Sequence, residues 1–388
     1  MICSAENILV LVFWVSLFVV GYSYCFYPAL LRIAAGRFGR SPLSSDSHVP
    51  SIGIVIPVYN EEKVIAEKLR NIFSVDYPAD RLSVWIGSDC SSDRTDDVVQ
   101  ELGDPRVHLW RSPVRSGKAG VLNRLIPMVD AEIVLLTDAD ILLDPASVRA
   151  LARDFADPEV GGVGGMTLQR QRGKGIRTEE TAYRGYEAKL KALESRLHST
   201  ISAFGSFYAI RKRLFVPFHP HTYSNDDVIM PMNIIRQGYR MCFEPSAVSY
   251  EEVLPQIQTE FKRRVRIGAG NFQAFFWLLD FLNPARGWPW FCYVSHKVTR
   301  WFSPMFIALA ALCCGMLSFS CNGPTIYSLL FIAGLISVMA GLLHAVIPLP
   351  LTRKMYYFMA MNLAIIIGFF NFLSGIRSAA WSRTERQV

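Results

Sequence analysis

The chain has 388 residues, 51% of them hydrophobic and only 19% charged, with a formal net charge of +7. A soluble globular chain carries about 25% charged residues; here the deficit is confined to three uncharged runs, 7–31, 302–352 and 355–376, and a bilayer-spanning helix takes about 20 apolar residues. Composition therefore excludes a wholly soluble protein, a disordered one and a small disulfide scaffold, and basic residues without an interleaved aromatic reading motif exclude nucleic acid as a partner.

Residues 1–31 are read as an N-terminal transmembrane segment, with the helix proper at 8–27. Glu6 stands where a signal peptide would be basic, and no small-x-small cleavage site precedes Arg32, so the segment is expected to stay as an anchor. Residues 32–50 form a polar linker whose Arg32, Arg37 and Arg40 follow the span directly. That placement puts them on the cytoplasmic side, against anionic membrane lipid.

From 51 to 255 the pattern alternates. Strands are predicted at 52–58, 82–88, 107–111 and 132–137, and helices at 61–73, 93–102, 118–129 and 146–155. Such alternation implies an α/β domain of parallel βαβ units under right-handed crossovers, and strands that are near-continuous apolar runs imply a sheet covered on both faces.

Residues 256–301 combine the basic stretch 261–266 with Phe272, Phe275, Phe276, Trp277, Trp288 and Trp290, the mixture expected of amphipathic helices in the headgroup region. Residues 302–376 hold two or three further spans, near 303–321, 325–347 and 355–376, and 377–388 is a tail. The uncharged 321–325 turn is expected outside, and Arg353 and Lys354 inside. Four spans put both termini outside, whereas Arg377, Arg383 and Arg386 favour the inside; either one hydrophobic segment is re-entrant or the charge bias is overridden. The eight cysteines form no Cys-x-x-Cys and read as free thiols in a reducing compartment or in lipid. His344, inside a hydrophobic run, is either a functional group or a hydrogen-bonded packing group. Asn362 and Asn371 are expected to join helices together.

Open α/β sheets bind ligands outside the carboxyl ends of their strands. The first predicted strand ends in Pro57-Val58-Tyr59-Asn60-Glu61-Glu62, the second in Ser88-Asp89-Cys90-Ser91-Ser92-Asp93, the fourth in Asp138-Ala139-Asp140. Taken singly, Asn60 and Asp93 could cap helices, and Asp138 and Asp140 could be solvated turn residues; three such clusters on one rim are better read as a site. Alternate residues of an extended chain point the same way. Asp138 and Asp140 can therefore hold a hard cation, Mg²⁺ or Mn²⁺, which would bridge diphosphate oxygens and offset leaving-group charge. Arg115-Ser116-Gly117-Lys118-Ala119-Gly120-Val121-Leu122-Asn123 opens a helix like a phosphate loop but lacks the GxxxxGK[ST] spacing, so a Walker ATPase is disfavoured. Lys118 near a helix N-terminus still suits a phosphate.

In this order, Pro-x-Tyr-Asn-Glu-Glu, Asp-x-Ser-Ser-Asp, Gly-Lys-Ala and Asp-Ala-Asp resemble family 2 glycosyltransferases of the GT-A fold. The likeness is nearest to membrane members such as cellulose, chitin, hyaluronan and poly-N-acetylglucosamine synthases, and it covers roughly 51–273 plus the membrane layout. It implies a Rossmann-like nucleotide-sugar domain joined to transmembrane helices. Donor-binding roles fall to Pro57, Tyr59, Glu61, Asp89 (the uracil and ribose region), Lys118, Asp138 and Arg266, and metal binding to Asp138 and Asp140. Phe204-Gly205-Ser206-Phe207 resembles the acceptor-side loop. Asn225-Asp226-Asp227 resembles Thr-Glu-Asp, which places Asp226 on the acceptor side and makes Asp227 the general base. Processive members carry Gln-x-x-Arg-Trp; here the stretch reads Arg263-Arg264-Val265-Arg266-Ile267, so the sugar-stacking tryptophan is replaced by Ile267. The same basic run also suits a helix lying on anionic lipid.

The function expected from sequence is an inverting, metal-dependent hexosyl transfer at the cytoplasmic face of the cell membrane. The donor is a nucleotide-sugar, UDP-linked by family analogy, and the acceptor a hydroxyl of a lipid-linked or glycan molecule. The first alternative is a processive synthase that exports its polymer; the remote one is an inactive membrane scaffold.

Overall fold

The computed structural model describes residues 2–170, 178–205, 207–252, 257–320, 325–345, 347 and 349–375. Ser206, the 321–324 part of the expected outward turn and the tail 377–388 lie outside them. The chain forms two compact units. One comprises Met1–Leu30, Gln256–Phe276 and Tyr293–Gly375, the other Leu31–Pro255 with Trp277–Cys292.

In the second unit eight strands make one sheet: β1 (Ile52–Val58), β2 (Leu82–Ser88), β3 (Val107–Arg111), β4 (Ile133–Thr137), β5 (Ile141–Leu143), β6 (Val160–Arg170), β7 (Phe207–Arg211) and β8 (Arg240–Glu252). Their order is β3-β2-β1-β4-β7-β6-β8-β5. The first four are parallel, as expected. β7 then runs antiparallel between β4 and β6, and β8 returns parallel to β6, so the sheet as a whole is mixed. That reversal matters for the site. Because Thr137 pairs with Phe207, the residues before β7 reach the same edge as the residues after β1, β2 and β4.

β1 and β4 are buried along their whole length. The helix Ile65–Phe73 covers one face with Ile65, Leu69 and Ile72, an i, i+4, i+7 stripe. It begins four residues later than the sequence suggests, because Asn60–Glu62 is held by the loop after β2 before the helix can start. Pro57 is tolerated within β1 for a geometric reason. Val58 gives its carbonyl to Asp89 N on the β2 side (2.8 Å), so Pro57 turns its backbone toward β4, where the ladder has ended at Val55.

The linker is docked on this unit. Leu43 N donates to Asp157 Oδ2 (3.2 Å), Ser45 N to the carbonyl of Arg153 (3.1 Å), and the Ser44 hydroxyl to Asp154. Burial pushes the Asp154 carboxyl up to about 6, opposed by the Ser44 hydrogen bond, reinforced by Glu244 and opposed again by Arg153. A carboxyl raised in the fold favours the native state below its unfolded value near ~4, and that contribution is lost as pH rises through about 6. Asp154→Asn is therefore expected to raise stability by about 2–3 kcal/mol near neutral pH, at ~1.4 kcal/mol per pKa unit, and to change little near ~pH 4. Thermal unfolding in detergent at the two pH values checks this; a variant no more stable than wild type at neutral pH would contradict it.

The N-terminal helix continues well past the expected anchor. Ile2–Gly21, a π-turn at Tyr22–Phe26 and Tyr27–Phe38 run in succession. Helices Glu6–Phe38, Trp288–Phe319 and Leu351–Leu373 are long and apolar enough to cross a membrane, whereas Ile326–Leu342 is a shorter apolar helix. Phe13 packs with Cys313 and Cys314, Tyr22 Oη and Ser295 Oγ are 2.8 Å apart, and the apolar residues Leu11, Phe18, Leu312, Phe319, Leu329 and Phe358 face outward. Helix Ile257–Trp277 meets helix Pro350–Leu373 at Gly268 and Gly368. A Cβ on Gly368 would lie 2.7 Å from Ala269 N and Val265 O, so only glycine allows that backbone approach. His344 Nδ1 lies 3.2 Å from Thr352 Oγ1, a packing hydrogen bond. Asn362 Nδ2 donates to its own helix at the carbonyl of Phe358 (2.7 Å) rather than to a neighbouring helix.

Candidate active site

The rim at the carboxyl ends of β1, β2 and β4 is laced by side chain to backbone hydrogen bonds. Asn60 and Cys90 each adopt positive φ, 55° and 62°, as the chain turns sharply off β1 and β2. Asn60 Oδ1 accepts from Ser92 N (2.8 Å), Glu61 N donates to Thr95 Oγ1 (2.8 Å) and Glu62 N to Asp93 Oδ2 (3.3 Å). Asn60 thus joins two loops, and Asp93 also accepts from Thr95 N (3.0 Å) at the start of the following helix.

Asp89 is fully buried. Its Oδ1 accepts from Ser116 N (2.7 Å) and Ser116 Oγ (3.1 Å), its Oδ2 accepts from Gly117 N (3.0 Å), and Arg115 Nε lies 3.3 Å away. The carboxylate holds the loop that opens helix Gly117–Met128. Gly117 turns at φ 75° to offer its N–H, a backbone conformation that glycine adopts without strain. The Arg115 guanidinium lies 3.2 Å from the centre of the Tyr59 ring, so Tyr59, Arg115 and Asp89 form one cluster. Further along the same helix, Asn123 exchanges two hydrogen bonds with the backbone of Phe218 (2.7 and 2.8 Å).

Lys118 is the hub. Its Nζ lies 3.0 Å from Asp138 Oδ1, 3.2 Å from Asp226 Oδ2 and 3.5 Å from the carbonyl of Gly205. It therefore ties the Asp-Ala-Asp turn after β4 to the first turn of helix Asp226–Arg236 and to the loop before β7. Burial alone would lower the Lys118 pKa, but Asp138 and Asp226 more than offset it and the ammonium is held above the ordinary lysine value. Burial raises the Asp226 carboxyl, Lys118 pulls it back, and Asp227 and Asp138 push it up again; the net direction is up. Tyr208 is fully buried with its pKa raised by burial and then by Asp226, Asp227 and Asp138, so its hydroxyl stays protonated and donates to Asp226 Oδ2 (3.4 Å).

Asn225 caps helix Asp226–Arg236 from a left-handed conformation, φ 64°, and places Asp226 and Asp227 in the first turn, where the helix dipole favours negative charge. Asp227 accepts the Ala203 N–H at its carbonyl (2.8 Å). A Cβ on Gly205 would sit 3.1 Å from Asp227 Oδ2, so glycine at 205 is what lets the loop approach that carboxylate. Lys191, buried on helix Thr178–Leu197, pins this loop by donating to the carbonyls of Ser202 (2.7 Å) and Ala203 (3.3 Å).

Asp138 and Asp140 flank buried Ala139, both partly accessible. Beneath them lies Lys68, completely buried, donating to Thr137 Oγ1 (3.0 Å) and to the carbonyl of Ile141. Burial lowers its pKa to about 7, against the pull of Asp140 and Asp138. Among the described residues no group of three or more His, Cys, Asp or Glu side chains could hold a metal by itself. Two carboxylates on one rim nonetheless fit a Mg²⁺- or Mn²⁺-type ion, which keeps waters and completes its shell with substrate phosphates.

The sequence model of the family described as glycosyltransferase like family 2 matches residues 50–270. The chain belongs to this family. A beta-monoglucosyldiacylglycerol synthase of Trichormus variabilis is 31% identical over 157 residues, 39% of this chain and 34% of the relative. A poly-beta-1,6-N-acetyl-D-glucosamine synthase of Staphylococcus aureus is 22% identical over 277 residues, 70% of this chain and 65% of the relative. The chain spans about a third of the length of the monoglucosyldiacylglycerol synthases it matches. Among solved structures, a mannosyltransferase from Pyrobaculum calidifontis, in complex with GDP-Man and Mn²⁺, superposes with a TM-score of 0.72 at 23% identity, covering 93% of this chain and 99% of that one. The fold of this glycosyltransferase is GT-A.

Of the residues singled out in the sequence, Tyr59, Asp89, Lys118, Asp138, Asp140, Gly205, Asp226 and Asp227 gather on the one rim, with Glu61 in the adjoining loop and Pro57 just below in β1. Arg266 belongs to helix Ile257–Trp277 of the other unit, where neighbouring Arg264 pairs with Glu260 (2.7 Å). Sequence reasoning passed over Arg115, Tyr208, Lys68 and Lys191. Only Lys68 left a signal, as a lysine on the inward stripe of its helix.

Proposed function

We propose that this enzyme transfers one sugar at a time from a nucleotide-sugar to a hydroxyl of a lipid or lipid-linked acceptor, with inversion at the anomeric carbon. The observation that carries the reading is Lys118, placed between the donor-side Asp138 and the acceptor-side Asp226 at the carboxyl ends of parallel strands. Asp227 takes the proton of the acceptor hydroxyl as its oxygen bonds to the anomeric carbon. The bond from that carbon to the diphosphate breaks, and the electron pair leaves with the nucleoside diphosphate. Tyr59 and Asp89 line the nucleoside side, Lys118 meets the diphosphate, and the Gly205 loop with Asp226 borders the acceptor. Asp138 and Asp140 are the residues that would hold Mg²⁺ or Mn²⁺; a bound ion there would stabilise charge developing on the leaving group.

A lipid acceptor is favoured by the 31% identity to a glucosyldiacylglycerol synthase and by Ile267, which cannot stack under a sugar as a platform tryptophan would. The more distant poly-N-acetylglucosamine synthase supports processive synthesis as the second reading. Purified enzyme in detergent with Mn²⁺ or Mg²⁺ should release nucleoside diphosphate from one member of a panel of UDP- and GDP-sugars. Addition of diacylglycerol-type lipid should yield a product larger by a single sugar. A polymer ladder would favour the second reading, and no turnover with any donor would defeat both.

We further place the catalytic domain in the cytoplasm, bound to a multi-pass anchor in the cell membrane, on the charge of Arg32, Arg37, Arg40, Arg353 and Lys354. Arg40→Cys and Lys354→Cys should add no labelling by membrane-impermeant thiol reagents over the parent in intact cells, and should add it after permeabilisation. Extra labelling of either site in intact cells refutes this orientation.

A further inference from the structure

Lys68 is one of the largest fully buried side chains in the protein. Ile65, Lys68, Leu69 and Ile72 are the buried positions of helix Ile65–Phe73, so an ammonium occupies a place in the stripe where the neighbouring positions carry apolar groups. Burying such a group is costly unless its hydrogen bonds are met and its charge is answered. Here its hydrogen bonds fall on the residues either side of the acidic triplet, Thr137 immediately before Asp138 and Ile141 immediately after Asp140. One buried side chain from the helix after β1 therefore fastens both ends of the Asp138-Ala139-Asp140 turn. Ile141 N also donates to the carbonyl of Asp138 (3.3 Å), across the turn itself.

We propose that Lys68 is the positioning residue of the cation-binding turn, fixing the separation and direction of the Asp138 and Asp140 carboxylates. The proposal rests on the reading that these two carboxylates hold a divalent ion. Groups behind a metal ligand orient it, and their loss typically weakens metal affinity ~10–100-fold. A purely structural lysine, tying helix to strand, would alter melting temperature and leave metal affinity alone.

The test is Mn²⁺ titrated into the full-length protein in detergent, followed by electron paramagnetic resonance, with saturating UDP or with GDP if the wild type prefers it. Lys68→Met is expected to raise the Mn²⁺ dissociation constant ~10–100-fold. Thr137→Val, which deletes one acceptor while keeping the side-chain shape, should lose part of that affinity, and the double variant should be no worse than Lys68→Met alone. Lys68→Met with unchanged or tightened Mn²⁺ binding and an intact fold overturns the proposal. If Lys68→Met does not fold, Thr137→Val decides: weakened Mn²⁺ binding supports positioning, and wild-type affinity overturns it. A wild-type protein that binds no Mn²⁺ overturns the metal assignment itself, and the role of Lys68 with it.

Discussion

Replacing Asp227 with asparagine is expected to lower glycosyl transfer ~10²–10⁴-fold, the usual cost of losing a general base, while nucleotide binding stays within a few-fold of wild type. The two adjacent acids of helix Asp226–Arg236 have different surroundings. Asp226 is engaged by Lys118 and by the Tyr208 hydroxyl, whereas among the described residues the Asp227 carboxylate makes no ion pair and faces Gly205 on the loop before β7. Proton abstraction needs an acceptor of this second kind. The pair should separate kinetically. Asp227→Asn lowers kcat with little change in donor KM, while Asp226→Asn frees Lys118 from one of its two carboxylates and moves both. Initial rates over a range of donor concentration, with donor affinity by calorimetry, make the comparison. Retention of more than about a tenth of wild-type turnover by Asp227→Asn, well short of the usual loss, would assign the base elsewhere.

The first half of the catalytic domain was legible in its sequence because its strands are short runs rich in β-branched and aromatic residues, and β1, β2 and β4 are closed by polar clusters. Ile52–Val58, Leu82–Ser88 and Val107–Arg111 form as predicted, and the fourth strand differs by one residue at its start. Beyond residue 155 periodicity stops being informative. β6 begins Val-Gly-Gly-Val-Gly-Gly, which reads as a turn by composition, and β8 is thirteen residues with Glu244 and Pro245 in its middle. Their pairing is decided by tertiary packing. The rim acids were visible because strand ends are where ligands bind in such sheets. The cations that organise them were not. Lys118 could be seen as a phosphate partner, but its bridge from Asp138 to Asp226 depends on the antiparallel entry of β7, which no local pattern encodes. Arg115 on Tyr59 and Lys191 under the Gly205 loop are long-range contacts of the same kind. Lys68 is different: its spacing with Ile65, Leu69 and Ile72 marks an inward position, and a lysine in an inward stripe points to a buried polar role.

Removing the divalent cation is expected to abolish turnover, and Asp140→Asn to lower it on the order of 10²-fold or more, since Lewis-acid stabilisation of a leaving phosphate is worth several kcal/mol. The reason lies in what the protein offers. Its described residues supply no cage of three or more ligating side chains, so the ion would be held jointly by Asp138, Asp140 and the donor diphosphate, and losing one carboxylate removes half of the protein's share. Asp138 has a second duty, because its Oδ1 lies 3.0 Å from Lys118 Nζ. Asp138→Asn should therefore also disturb the ammonium that reaches Asp226, and raise donor KM more than Asp140→Asn does. Chelator in excess should stop nucleotide release by the wild type, and added Mn²⁺ or Mg²⁺ should restore it. Undiminished activity in excess chelator would remove the ion from the reaction and leave the Lys118 ammonium to offset the charge on the departing diphosphate.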